Sequence, residues 1–356
     1  MTAQSQSRYH RQELIAGIGR AGQQRMRDAH ALVVGCGALG CAVADILARA
    51  GIGRLTIIDR DIVEVTNLQR QSLFTERDAV EGIPKAEAAK RRICEINSQV
   101  ECRGWVEHVG PDNVISYASD ADIILDGLDN LHTRFLLNDA AVSLGKPYLY
   151  GGAVATRGMS MPILPGEACL RCIFSEPAHL QTGETCDTAG VLMSAVVAVS
   201  AHQALQAIKW IVGANDAIDR SLWSIETWGN RENRVSLAGA KVATCSCCAK
   251  RDFEYLSGRH EDQATVLCGR GAVQVAPRGI EGTVRRIDLA KVAIMLAPHG
   301  SFGMRGGLLV GTLRGVQSPA GNAVELTIFP DGRAIIGGSI DETFARGIYD
   351  RFIGGS

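Results

Sequence analysis

The chain has 356 residues, of which 46% are hydrophobic and 21% charged, with a formal net charge of -1. That length accommodates two or three domains around a large core, and the near-neutral balance gives no support to binding nucleic acid or an anionic membrane. Eleven cysteines, in a chain whose first 30 residues are polar and charged and carry no signal peptide, point to reduced thiols, metal ligands or catalysis in the cytoplasm.

Residues 8 to 30 read as helical, with sparse apolar positions and frequent arginines; a solvated face accounts for Arg8 and Arg11. An apolar burst, Ala31 to Val34, runs into Gly35, Gly37 and Gly40, spaced G-x-G-x-x-G, and a helical stretch continues to Ala50. A second apolar run, Leu55 to Ile58, ends on Asp59. Strand, tight turn, helix and strand in this order let the backbone approach a phosphate at the positive end of the helix. A carboxylate at Asp59 falls where it can hold a ribose hydroxyl. Asp61, Asn67, Arg70 and Gln71 follow. Nicotinamide enzymes have no general need for an Asn and an Arg there, whereas an amide and a guanidinium can grip triphosphate oxygens. Pro84 opens a helix with Lys85 in its first turn, running through Ile96, and Val100 to Val106 form a third strand.

Ile123 to Leu125 read as a buried parallel strand ending on Asp126, with Asp129 and Asn130 just beyond. Ligands bind at that edge of an open α/β sheet, and carboxylates opposite phosphates suit magnesium. Asp126 reads equally well as a capping residue. Arg134 and Asn138 share one face of a helix starting near Leu131. A fifth strand around Tyr148 to Tyr150 leads into a glycine turn, and residues 154 to 164 form further strands with Pro162 and Pro165 at edge or turn positions. The β-α alternation predicts a doubly wound, Rossmann-like α/β sheet.

Cys169-x-x-Cys172 and Cys245-x-x-Cys248 are two knuckles of the kind that together hold zinc through four thiolates, with Cys247 left over. Cys186 lies in a loop rich in Gly, Thr and Asp before an apolar helix, where a helix N-terminus lowers a thiol pKa. The apolar stretch Gly190 to Gly213 carries His202, Gln203, Gln206 and Lys209, so it reads as a buried helix and not a membrane span. Strands follow at Leu222 to Thr227 and Arg234 to Leu237, and the polar stretch from Lys250 to Gln263 reads as a linker. The expected layout is a domain over 1–252, a linker over 253–263 and a small α+β domain over 264–356. In that last domain the pattern predicts a strand at Ala272 to Val275 and a helix from Arg286 to Leu296. Strands at Leu308 to Leu313 and Val324 to Phe329, an Asp331-Gly332 hairpin turn and a final helix from Asp341 to Phe352 follow.

Taken together, Arg8-Tyr-x-Arg11-Gln, Asp59-Arg-Asp61, Asn67-Leu-Gln-Arg70-Gln71, Pro84-Lys85 and Asp129-Asn130 resemble the ThiF/MoeB family, relatives of the ubiquitin-activating enzymes. The Leu-Cys-Gly-Arg pattern at 267–270 and the terminal Arg-x-x-Tyr-x-Arg-Phe resemble the tail of longer bacterial ThiF proteins. The resemblance implies ATP-dependent adenylation of the C-terminal glycine of a small ubiquitin-like sulfur carrier ending in Gly-Gly, ThiS-like or MoaD-like. The C-terminal domain favours a thiamin sulfur carrier. By the same resemblance Gly35, Gly37 and Gly40 cradle the nucleotide and Asp59 holds its ribose, with Asp61 and Asn130 beside it. Asn67, Arg70 and Lys85 hold phosphates, and Asp129 binds Mg2+. Arg11 reaches across a homodimer to the partner's ATP, and Cys186 is a reactive thiol. The implied partners include a sulfur donor such as a cysteine desulfurase or a rhodanese. A nicotinamide-dependent oxidoreductase would have no use for Arg70, Lys85 and Asp129, and a catalytically inactive carrier-binding scaffold would not keep them intact.

Overall fold

The computed structural model describes residues 8–174, 189–259, 264–267, 271–275, 287–305 and 307–353. The chain divides into two compact units, Met1–Val80 with Pro84–Arg259, and Glu81–Ile83 with His260–Ser356. Short helices α1 (His10–Glu13) and α2 (Gly19–Asp28) lead into β1 (His30–Val34), α3 (Ala38–Ala50) and β2 (Arg54–Ile58). Next come α4 (Glu76–Glu81), α5 (Lys85–Ile96), β3 (Glu101–Trp105), α6 (Val114–Ser119) and β4 (Ile123–Asp126). The first unit ends with α7 (Leu131–Leu144), β5 (Tyr148–Val154), β6 (Arg157–Ile163), α8 (Leu170–Ile173), α9 (Met193–Ile211), β7 (Ser221–Glu226) and β8 (Arg231–Ser236).

Its strands form one sheet in the order β3-β2-β1-β4-β5-β6-β7-β8, parallel from β3 to β5 and antiparallel from β5 to β8. A parallel sheet covered on both faces needs buried residues throughout its strands, and every residue of β1 and β4 is buried. One core sets Leu32 and Ile124 against Phe135 and Leu136 of α7. Another sets Leu39 of α3 against Val196 and Val199 of α9. The winding reverses at β1, which pairs with β2 on one side and β4 on the other. A reversal of this kind opens a crevice at the C-terminal strand ends, where doubly wound sheets bind ligands.

Three local expectations change. The single helix read over 8 to 30 is two, because Gly19 takes a left-handed φ of 59° at the start of α2. Pro162 lies in an interior strand, opposite Leu149, yet the pairing of β6 with β7 stops at Ser160. The proline thus sits where no neighbour on that side asks for its missing N–H. Residues 253–259, read as linker, belong to the first unit. Tyr255 is 5% exposed, its ring stacks on Phe135 with centroids 5.2 Å apart, and its backbone N–H donates to Asp139 Oδ2 at 3.0 Å. Tyr255, with Phe253 and Leu256 partly buried beside it, packs this polar stretch against the core.

The second unit holds β9 (Ala264–Leu267), β10 (Ala272–Val275), α10 (Leu289–Leu296), β11 (Gly300–Arg305), β12 (Leu308–Gln317), β13 (Ala323–Ile328), β14 (Ala334–Gly337) and α11 (Glu342–Phe352). Its sheet runs β11-β12-β13-β14-β10-β9, antiparallel throughout. Asp288 and Asp341 cap the two helices through the N–H groups of Ala290 and Phe344, as short polar side chains do at helix starts. Val273, Leu326 and Ile336 of the sheet meet Leu296 of α10 and Ile348 of α11 in one core. The strands β9 and β11 were not foreseen; β11, Gly-Ser-Phe-Gly-Met-Arg, has weak strand propensity and is held by its pairing with β12. Among the described residues no helix is long and apolar enough to cross a membrane.

Truncating a buried aromatic ring costs about 3 kcal/mol or more, so Tyr255→Ala should lower the unfolding free energy of the first unit, read from a denaturant titration, by that amount. A tethering segment would tolerate the change within about 0.5 kcal/mol.

Candidate nucleotide site and cysteine cluster

Three glycines bring the loops after β1 and β4 into backbone contact. Gly35 takes φ of 85°, and a Cβ there would lie 2.7 Å from the Gly127 carbonyl oxygen. A Cβ on Gly40 would lie 1.9 Å from the Gly35 oxygen, and one on Gly127 2.1 Å from that same atom. Gly37 differs: the nearest atom to its added Cβ is the Gly127 oxygen at 3.6 Å, an ordinary contact. The protein's own packing therefore does not require glycine at 37. A bare backbone at this position leaves room for close approach of a ligand. Gly37 is also the N-cap of α3 and no side chain caps that helix, so its first-turn N–H groups and the positive end of its dipole are available to an anion.

Asp59, at the end of β2, accepts from the N–H of Cys36 at 2.6 Å and from that of Asp61 at 2.7 Å. Burial raises its carboxyl above the ordinary value, against the lowering pull of the Lys85 ammonium. Lys85 opens α5 beside it: its Nζ lies 3.0 Å from Asp61 Oδ2 and its backbone N–H donates to the Asp61 carbonyl. The glycine loop, the Asp59–Asp61 turn and the start of α5 thus form one linked unit. Asn67 is buried, and its Oδ1 accepts from the Glu64 N–H at 3.0 Å, while Glu64 caps the Asn67 backbone in return. Arg70 spends one donor on the Thr66 carbonyl at 2.9 Å. Gln71 is buried, and its Oε1 has no hydrogen-bond partner.

Beyond β4, Asp129 is exposed and Asn130 caps α7, accepting from the Thr133 N–H at 2.9 Å. Asp126 is fully buried and committed, with Arg134 Nε 3.0 Å and the Tyr148 hydroxyl 2.8 Å from its Oδ2. Burial raises the Asp126 carboxyl and the Arg134 charge opposes that shift. The same guanidinium donates to the carbonyls of Leu128 and Gly151, so it binds the ends of β4 and β5 together. Sequence reading placed Arg134 on a helix face without this role; the signal was an arginine amid apolar residues one helical turn past Asn130.

The other predicted residues lie elsewhere. Arg11 is exposed on α1, whose Gln12 donates to the Ala50 carbonyl at the C-terminal end of α3, while Tyr9 accepts from Asn97, which in turn donates to the Ala48 carbonyl. Cys186 lies outside the described residues. The sulfur atoms of Cys169, Cys172, Cys245 and Cys248 all fall within 4.8 Å of one another. Tetrahedral zinc–thiolate bonds of about 2.3 Å separate neighbouring sulfurs by about 3.8 Å, and the closest pairs here are 3.9, 3.6 and 3.4 Å apart. The Cys169 thiol is held down to about 4, chiefly by a hydrogen bond from Cys247, while burial raises the Cys172 and Cys248 thiols. Asn138 joins both knuckles to α7: its Oδ1 accepts from the Leu170 N–H at 2.8 Å, and its Nδ2 donates to Cys247 Sγ at 3.2 Å.

A doubly wound sheet with a glycine loop, an acidic strand end and a cluster of four thiols spaced to hold a metal defines a Rossmann-like fold of the nucleotide-binding class. Residues 9–247 match the model of the ThiF family, and the chain belongs to that family. It is 40% identical over 348 residues to the Sulfur carrier protein ThiS adenylyltransferase of Bacillus subtilis (strain 168), covering 98% of this chain and 99% of that protein. It is 35% identical over 300 residues to the Adenylyltransferase and sulfurtransferase MOCS3 of Mus musculus, covering 82% of this chain and 63% of that longer protein. The fold is shared with the crystal structure of E. coli MccB with ATP, at a TM-score of 0.56 and 24% identity, over 64% of this chain and 69% of that one.

The glycines give a paired test. Gly40→Ala should destabilise the fold by about 3 kcal/mol, because its methyl meets backbone. Gly37→Ala should melt like the wild type yet weaken ATP binding by about tenfold or more, measured by calorimetric titration. Equal ATP affinity in Gly37→Ala would mean that nothing approaches the backbone there.

Proposed function

We propose that this chain uses ATP to adenylate the C-terminal glycine of a small ubiquitin-like sulfur carrier, ThiS-like by preference. The near full-length similarity to a ThiS adenylyltransferase carries this reading, and the bare Gly37 backbone at the start of an uncapped α3 agrees with it. The carrier's carboxylate oxygen attacks the α-phosphorus of ATP. The new bond is carboxyl oxygen to phosphorus, and the bond to the β-phosphate bridging oxygen breaks with release of pyrophosphate. Two anions must meet, so the protein's task is charge neutralisation and alignment.

In this reading the amides of the glycine loop face phosphate, and the outer edge of Asp59 serves the ribose. Lys85, held at the crevice by Asp61, Arg70 and the unused Nδ2 of Asn67 meet phosphate oxygens. Asp129, exposed beside its cap residue Asn130, is the carboxylate for Mg2+, which when bound would neutralise phosphate charge. No general base is needed, since the nucleophile is already ionised. Arg11 completes the site of the second copy in a homodimer. Cys186 acts afterwards: its thiolate attacks the adenylate's carbonyl, a thioester forms and AMP leaves. A desulfurase or rhodanese would then supply sulfur, and the reduced thiols suit the cytoplasm. The four-cysteine cluster holds structural Zn2+.

ATP–pyrophosphate exchange tests the assignment. Exchange should depend on a carrier ending in Gly-Gly. Asp129→Ala, at an exposed position that spares the fold, should lower it by about 100-fold or more. Carrier-independent exchange, or none with ThiS-like and MoaD-like carriers alike, would reject the reading.

Freshly purified protein should contain one zinc per chain by elemental analysis. Cys172→Ser should lower the melting temperature before it lowers exchange, because the metal ties distant segments together. Metal-free protein of unchanged stability would refute the zinc assignment.

A further inference from the structure

The motif Arg8-Tyr-x-Arg11-Gln divides sharply in the structure. Tyr9 is buried; its hydroxyl accepts from Asn97 Nδ2 at 2.8 Å and pairs with Gln99 Oε1 at 3.3 Å. The same Asn97 amide donates to the Ala48 carbonyl at 2.7 Å. Gln12 and Gln23 both donate to the Ala50 carbonyl at 2.9 Å, and Arg8 donates to the Ile96 carbonyl. Ala48 and Ala50 end α3 and Ile96 ends α5, so these side chains add donors at two helix C-termini, where the helix itself supplies few. The seat is shaped for the ring: a Cβ on Gly51 would lie 2.5 Å from Tyr9 Cε1 and 2.8 Å from Gln23 Nε2.

Arg11 alone of the charged residues in this motif has neither a hydrogen bond nor an ion pair among the described residues, and it is exposed. Leu14 and Ile15, which follow directly, are 71% and 54% exposed. The seat is at the far end of α3 from the glycine loop, and 13 helical residues span about 20 Å. Arg11 is therefore presented away from its own chain's nucleotide edge, beside an apolar pair suited to contact with a second copy.

We propose that Tyr9, Gln12 and Asn97 are positioning residues that clamp α1 onto the end of α3 and so aim Arg11 into the nucleotide site of a second copy, which Leu14 and Ile15 help to dock. This rests on the reading of Arg11 given above. The clamp acts on the partner's site and not on its own. A loosened clamp lets the guanidinium wander, and an ångström of misplacement costs up to about 100-fold in rate.

The test uses full-length heterodimers, co-expressed with two different tags and purified on both. One chain carries Tyr9→Phe, or Gln12→Met as a second variant; the other is silenced at its own site by Asp129→Ala with Lys85→Ala. A parallel heterodimer carries Arg11→Ala in place of the clamp substitution. The Tyr9→Phe homodimer should lose carrier-dependent exchange by about 10- to 100-fold at unchanged helical content. Its heterodimer should recover one wild-type site, since the silenced chain lends a correctly seated Arg11. If the Arg11→Ala heterodimer recovers and both clamp heterodimers stay low, the clamp acts within its own chain and the proposal is overturned. Wild-type exchange in both clamp homodimers overturns it too. If no heterodimer recovers, or none can be isolated, the cross-subunit reading of Arg11 fails and the proposal falls with it.

Discussion

The contact on which the rest depends is backbone against backbone at the switch point of the sheet. Gly35, Gly40 and Gly127 approach so closely that a methyl on Gly40 or Gly127 would lie near 2 Å from the Gly35 carbonyl oxygen. This closeness sets α3 directly over the ends of β1 and β4 and brings the loop carrying Asp129 against the glycine turn. Asp59 completes the junction from β2 through two backbone N–H groups. The glycine loop thus holds both of the others, the β2 loop through Asp59 and the β4 loop through Gly127, and a ligand there would meet a preformed surface.

From that junction two helices carry consequences to the far parts of the unit. α3 runs from the glycine turn to the seat of Tyr9 and Gln12, so its length sets the distance between a chain's own nucleotide edge and its Arg11. α7 begins at Asn130 and carries Arg134 near its start and Asn138 one turn on. Arg134 braces the strand ends, while Asn138 holds both cysteine knuckles. The four-cysteine cluster is consequently joined to the crevice through a single helix.

Much of this was legible in the residues. Parallel strands are continuous apolar runs and the glycine spacing has a steric cause, so the β1–α3–β2 unit and the helix after Pro84 could be read directly. Paired knuckles predicted which four thiols converge. What was not legible depends on contacts between distant segments. Nothing local says that Asp59 is bound by the N–H of Cys36, that Asp126 is consumed by Arg134, or that Tyr255 stacks on Phe135. The N-terminal motif was read for its arginine, while its tyrosine and glutamine, which fix where that arginine can be, gave no local signal.

The central claim is that the crevice at the ends of β1, β2 and β4 is where the nucleotide sits. Amide hydrogen exchange, followed with and without ATP and magnesium, addresses it most directly. The account predicts slowed exchange confined to the segments around residues 35–41, 59–70 and 127–133, with the sheet's opposite edge unchanged. Unaltered exchange in all three segments at saturating ATP, or protection found only elsewhere, would contradict it.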